Sequence, residues 1–196
     1  MIDKEEVIAF FDRLAPEWDA ELVRNEEVIK RILDSAEISE GKTVLDVACG
    51  TGVLIPDYLK RGVSSVTGID ISSAMAEIAR KKHPQENVTI LCGDVEETEF
   101  ERQFDCVMVY NAFPHFQKGE RLIACLAAKL KTGGTLSIAH GMSREKIDAH
   151  HHGSAQHISN GLMPAEELAE IFHNSGLLVT AVISDDSMYQ VTGKRI

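Results

Sequence analysis

The sequence predicts a single α/β domain: a doubly wound, seven-stranded, mostly parallel sheet with helices ahead of it and an antiparallel final strand. Three observations carry that prediction. From Thr43 onward, short apolar runs alternate with helical patterns, as in repeated strand-helix-strand units. Most runs are continuously apolar, which marks strands covered on both faces and therefore parallel. The last two runs are joined by only a short polar stretch, too short for the crossover that a parallel neighbour requires.

Element by element, Val7, Phe10, Phe11 and Leu14 fall at helical spacing over residues 4 to 14, and Leu22, Val28, Ile29, Ile32 and Leu33 over 20 to 36, with a break at Pro16. These helices form a cap over residues 1–38, ahead of a core spanning 39–196 within one continuous domain. The core starts with "TVLDVA", a helix near 52 to 61, "SVTGID", a helix near 72 to 82 and "VTILCGD". It continues with "FDCVMVYN", a helix near 118 to 130 and "GTLSIAH". "MPAEELAEIFHNSG" is a helix with Pro164 near its first turn and Gly176 as its stop. "LLVTAVISDD" and "MYQVTGKRI" then pair as an antiparallel hairpin at the sheet edge. In an open sheet of this kind ligands sit outside the carboxyl ends of the strands, so the strand tips are where function is sought.

Composition narrows the partners. A formal net charge of −11 with no basic tract works against a grip on phosphate backbones, so small molecules are favoured over nucleic acid. No run of 18 apolar residues and no signal-peptide pattern occurs, which argues against a membrane span and against secretion. Four cysteines without a CxxC pair fit a reducing cytoplasm better than a disulfide framework or a zinc knuckle. A monomer or a homodimer is expected.

The most specific stretch is "VLDVACGTG" at residues 44 to 52, an apolar strand with an embedded acid and a Gly-rich turn into a helix. Gly50 and Gly52 let the backbone approach a ligand closely, and the helix start supplies free amides. Asp70 follows Gly50 by twenty residues at the tip of the second strand, where a carboxylate accepts both hydroxyls of a ribose. Asp94 ends the third strand, where an acid meets an adenine amino group and Val95 offers apolar surface to the ring.

Taken in order, these three motifs resemble the class I S-adenosylmethionine-dependent methyltransferases over nearly the whole chain. The resemblance implies a Rossmann-like methyltransferase fold, S-adenosyl-L-methionine as cofactor, S-adenosyl-L-homocysteine as product, and a small-molecule acceptor. By the same resemblance Asp46, Ala48, Cys49, Gly50, Thr51 and Gly52 lie under the methionine part. Asp70 binds the ribose, Ile71 and Met75 flank the adenosine, and Gly93, Asp94 and Val95 hold the adenine. "DISSAMAEIARKK" and "LKTGGTLSI" are also typical of the family, with Ala48 replacing a frequent glycine. "FFDRLAPEWDAE" resembles the opening helix of the quinone-biosynthesis methyltransferases, with Trp18, a substrate-side candidate, where a tyrosine is more usual.

The fourth strand ends "VMVYNAFPHF", which sets Tyr110, Asn111, Phe113 and His115 beside the methyl donor; the resemblance, in which this loop lines the cofactor and substrate pocket, implies Asn111 toward the cofactor and Phe113 toward the acceptor, with Tyr110 and His115 as catalytic candidates. Histidine is the natural base at neutral pH, and His140 at the end of the fifth strand is the second such base. Five of the eight histidines crowd residues 140 to 157: His140, His150, His151, His152 and His157. A helix over "SREKIDAHHHG", capped by Ser143 and stopped by Gly153, spreads its three consecutive histidines over roughly 200° of arc, so they cannot share one metal. No metal is assigned. Resemblance to a His, Ser-Arg, His run in some small methyltransferases points to Arg144 and His150 as substrate-binding, within a lid over 141–163. Two other functions remain to be weighed: a non-catalytic sensor of the cofactor or a metal, and a nicotinamide-dependent oxidoreductase, which prefers a third glycine where this chain has Ile55.

Overall fold

The computed structural model describes residues 2 to 151 and 156 to 196. The chain opens with α1 (Lys4–Leu14), capped by the Asp3 carboxylate on the Glu5 amide, then a 3₁₀ turn at Ala15–Glu17 containing Pro16 and the single turn α2 (Trp18–Glu21). A fresh helix, α3 (Glu26–Ser35), begins where the Asn25 side chain accepts the Val28 amide at 3.2 Å. The expected continuous helix over 20 to 36 is therefore two pieces. Leu22 turns extended (φ −69°, ψ 114°), and Arg24 reaches away to the Asp57 carboxylate at 2.7 Å and the Val53 carbonyl at 2.6 Å, which a continuous helix would not allow.

The sheet has seven strands: β1 (Thr43–Val47), β2 (Ser65–Asp70), β3 (Val88–Cys92), β4 (Phe104–Tyr110), β5 (Leu130–His140), β6 (Leu177–Ser184) and β7 (Tyr189–Arg195). Their spatial order is β3-β2-β1-β4-β5-β7-β6. The first five strands are parallel, and the direction of winding reverses between β1 and β4, which opens the crevice where such sheets bind ligands. The helices are α4 (Ile55–Lys60), α5 (Ser73–Lys82), α6 (Gly119–Ala128), α7 (Arg144–His151) and α8 (Ala165–Asn174). α4 starts later than expected because residues 51 to 54 form a turn after the glycines, and Pro56 then sits in its first turn.

The expected antiparallel pair at the C-terminus is present, but its last strand lies inside the sheet. β7 runs antiparallel between β5 and β6, leaving β6 at the edge. Burial explains the order: Tyr189, Gln190, Val191 and Thr192 of β7 are buried on both faces, whereas Leu178 and Val182 of β6 are exposed.

Two apolar layers flank the sheet. One joins it to α6, α7 and α8 through Leu122, Ile123, Ile147, Leu168 and Phe172; the other joins it to α3, α4 and α5 through Ile29, Ile32, Ile55, Tyr58 and Ala76. Side chains of the sheet also donate to carbonyls at the end of α3, with the Gln190 amide on Ile32 O at 3.1 Å and the Thr135 hydroxyl on Ala36 O at 2.8 Å. So α3 belongs to the packed core. α1 stands apart, packing Ile2, Val7 and Phe10 against Ile158.

Candidate active site

The glycine-rich loop leaves β1 with three residues in the left-handed region: Ala48 (φ 53°), Gly50 (φ 56°) and Gly52 (φ 81°). The first explains why glycine is frequent at that position, since a Cβ is disfavoured there. The two glycines serve different purposes. A Cβ at Gly50 would meet only the Trp18 indole, 4.0 Å away, so that face is open beneath the cap. One at Gly52 would stand 2.5 Å and 2.6 Å from Cδ2 and Nε2 of His83, so here the close neighbour is a side chain of the protein itself.

Asp70 ties the loop to the second strand. Its Oδ2 accepts the Gly50 amide at 2.8 Å and its Oδ1 the Ser72 amide at 2.9 Å. Each carboxylate oxygen carries two lone pairs, so one acceptor site per oxygen remains, a match for a cis-diol. Burial pushes this carboxyl up to about 6, against the pull of the two amides. Asp46, one strand over and buried, is pushed up to about 7 by burial and by the Asp70 charge, with Tyr58 pulling the other way. Cys49 is buried, its thiol pushed up chiefly by burial, so it is a packing residue of the loop. Met75 is buried on α5, Ile71 is half-buried, and Gly93 donates its amide to Asp70 O at 2.9 Å. Val95 is buried in the core layer beside α6.

The N-terminal segment closes over this edge through three acidic clasps. Lys4 pairs with Asp94, which also takes the Glu96 amide at 2.8 Å. Asp12 accepts the Ser72 hydroxyl at 2.6 Å and the Ala74 amide at 3.1 Å, capping the start of α5. Asp19 accepts the Thr51 hydroxyl and the Lys82 ammonium, each at 2.6 Å. Beneath them runs an edge-to-face chain of rings: Trp18 against Phe11 (centroids 5.9 Å apart) and Phe11 against His115 (5.1 Å). His115 Nδ1 lies 2.8 Å from the Ile158 carbonyl. A carbonyl only accepts, so Nδ1 carries the proton and Nε2 the lone pair of the neutral ring.

The β4–β5 side is arranged differently from expectation. Tyr110 pairs in register with Ala139 and packs in the α3–α4 layer, with its hydroxyl against Gly141. His140, one residue further on, points to the opposite face: it is 2 % exposed and stacks edge-on against Tyr189 in the α8 layer (5.9 Å). Strand alternation thus separates two residues expected to share one site. Phe113, expected toward the acceptor, is buried in the core layer and packed over Gly119 at the start of α6. Asn111 adopts φ 55° and accepts the Gly141 amide through Oδ1 at 2.9 Å, stapling the exits of β4 and β5 together. Arg144 donates to Leu162 O at 2.6 Å, joining the two ends of the segment expected to be a lid. The side chains of His150 and His151, and all of His152 and Gly153, lie outside the described residues. His157 is exposed and faces Phe10 edge-on. Among the described residues no group of three or more His, Cys, Asp or Glu side chains is placed to hold a metal ion.

Sequence reasoning missed Lys4, Phe11, Asp12, Asp19, Lys82 and His83. Asp12 and Asp19 stand in the quoted opening segment, and two acids flanking a helix break were the available signal; their partners 32 to 63 residues away were not.

A family model described as a methyltransferase domain matches residues 44–134. A ubiquinone biosynthesis O-methyltransferase of Coxiella burnetii is 29% identical over 203 residues, covering 98% of this chain and 86% of its own length. A malonyl-[acyl-carrier protein] O-methyltransferase of Priestia megaterium is 29% identical over 140 residues, 69% of this chain, and the chain spans only 51% of that relative. In fold, the chain is similar to magnesium protoporphyrin IX methyltransferase from Synechocystis with bound SAH, at a TM-score of 0.74 and 16% identity, covering 99% of this chain and 100% of that one.

Proposed function

The chain belongs to the class I S-adenosylmethionine-dependent methyltransferases, and from that premise we propose that it transfers a methyl group from S-adenosylmethionine to a small-molecule acceptor. Asp70 is the observation that carries the reading: a buried carboxylate, held by two backbone amides, with one acceptor site left on each oxygen. The nicotinamide and sensor readings find no support in these relatives, and Ile55 fills the core where a dinucleotide site would prefer glycine.

When bound, the cofactor supplies a methyl group whose sulfonium departs as a neutral thioether. The chain does the rest. Asp70 holds the ribose and Asp94 the adenine end, the latter with Lys4 on its other side. The loop from Ala48 to Gly52 runs under the methionine end, and Trp18 and Phe11 exclude water above it. His115 Nε2 takes the proton of an oxygen or nitrogen acceptor, with the Ile158 carbonyl fixing the tautomer and charge developing on the ring. The acidic balance of the chain supports a small molecule over nucleic acid, and four free cysteines support a cytoplasmic setting. Among the described residues no helix is long and apolar enough to cross a membrane.

Calorimetry with S-adenosylhomocysteine tests the cofactor half. Replacing Asp70 by Ala removes two charge-assisted acceptors and is expected to weaken binding about a hundredfold. Binding equal to wild type would overturn the assignment. Release of S-adenosylhomocysteine from S-adenosylmethionine with a panel of phenols, carboxylic acids, amines and thiols then tests the acceptor class, and no turnover with any of them would sink the catalytic reading.

A further inference from the structure

His83, the residue that caps the C-terminus of α5, lies at the glycine-rich loop, although nothing in its sequence position connects the two. Its ring edge fills the space into which a Cβ at Gly52 would project, and Ile55 Cδ1 closes the other side at 3.0 Å from the same point. His83 is 7 % exposed, and its Nε2 lies against the glycine-rich loop. Burial, with the adjacent Lys82 charge, lowers its pKa, against which a hydrogen bond to the Gly52 backbone and the Asp19 charge pull upward. On the same flank, Lys82 reaches both Asp19 (2.6 Å) and the Thr51 hydroxyl (3.3 Å), so two residues at the C-terminal end of α5 grip consecutive residues of the loop.

A buried imidazole carries polar nitrogens into a space that an aliphatic residue would fill at lower desolvation cost. What the ring offers is a thin, rigid, planar edge, and Gly52 at φ 81° is the one residue type that lets that edge come so close. We propose that His83 is a positioning residue for the cofactor: a wedge against Gly52 that, with the Lys82 grip on Thr51, fixes the glycine-rich loop beneath the methionine end. His83 does not touch the reacting atoms. It acts through the loop, so its effect falls on ligands that lie over the loop and spares those that only occupy the Asp70 and Asp94 end. This rests on the placement of the cofactor proposed above.

The test compares two ligands on folded protein by calorimetry. S-adenosylhomocysteine carries the amino-acid tail; 5′-methylthioadenosine carries the same adenosine and sulfur without it. Replacing His83 by Ala leaves the loop free to settle into the vacated space, and S-adenosylhomocysteine should bind about tenfold more weakly while 5′-methylthioadenosine changes less than about twofold. A purely structural role predicts a lower Tm with both ligands affected alike. Should the alanine variant fail to fold, His83→Asn, polar and shorter than the ring, carries the same comparison. Equal effects on both ligands, or no effect on either, overturn the proposal. Asp70→Ala separates this failure from that of the cofactor placement: it should weaken both ligands, and if it weakens neither, the placement itself is wrong.

Discussion

The two halves of the strand edge use their tip residues in opposite ways. At β1, β2 and β3 the acids and glycines stay at the edge, held by backbone amides and by side chains of the N-terminal segment. At β4 and β5 the polar tips are drawn into packing: Tyr110 into one layer, His140 into the other, and Asn111 into a staple between strands. At β2 backbone donors orient the tip carboxylate at the edge. At the ends of β4 and β5 the alternation of the strand decides, and it sends neighbours to opposite faces.

The pair His115 and His140 puts the largest stress on that comparison. His115 stands in the ring chain under the cap and His140 in the core, so alanine at the two positions should act on different quantities. His115→Ala should lower kcat about a hundredfold or more for an oxygen or nitrogen acceptor, with little change in Tm. His140→Ala should leave kcat within about threefold and cost about 1 to 3 kcal/mol of stability, as loss of a buried ring contact does. Steady-state kinetics and thermal melts on the two variants check this, and the reverse pattern would return the catalytic base to the end of β5.

The carboxylates of the cofactor half give the next largest effect. Asp70 is pushed up to about 6 and Asp46 to about 7, above the unfolded value near 4. Both groups therefore hold protons in the ligand-free folded state at pH values where the unfolded chain has lost them. Their favourable contribution to folding is fully present below about pH 4 and is lost as pH rises through 6 to 7. On the proposed placement of the ribose at Asp70, ligand binding runs the other way, because a diol favours the ionised acceptor. From pH 7 to pH 5 the affinity for S-adenosylhomocysteine should fall about tenfold. Asp46→Asn should raise the ligand-free Tm more at pH 8 than at pH 5. An affinity flat across this window would place the diol away from Asp70.

How far the sequence reaches follows the same division. The motif from Val44 to Gly52 and the step of twenty residues from Gly50 to Asp70 are local, and an amide-to-carboxylate bond joins the two residues that the spacing singles out. The strand order of β6 and β7 was not legible, because an antiparallel pair has the same local pattern whichever partner faces the rest of the sheet. The faces of Tyr110 and His140 were not legible either, since moving a strand by one residue exchanges its faces and leaves the apolar pattern intact. The clasps of the N-terminal segment depend on contacts such as Asp12 to Ser72 and Asp19 to Thr51, made only when α1 and α2 dock.

Ala48 gives the smallest effect and sharpens the comparison most finely. It holds φ 53° in a loop whose shape the Cys49 amide fixes through a 3.1 Å bond to Ile69 O on β2. A left-handed alanine costs roughly 1 kcal/mol or slightly more, while glycine adds about 0.4 to 1 kcal/mol of freedom to the unfolded chain. Ala48→Gly should therefore be neutral or raise Tm by only a degree or two, since about 1 kcal/mol shifts Tm by a few degrees at this chain length. Ala48→Val adds a β-branched side chain at the same positive φ and should lower Tm by several times that amount. With the loop backbone held by the Cys49 bond to β2, Ala48→Gly should also leave the affinity for S-adenosylhomocysteine unchanged. A glycine variant that melts markedly lower would mean that the alanine methyl, half-buried against the α6 layer, stabilises the loop by more than its backbone strain costs.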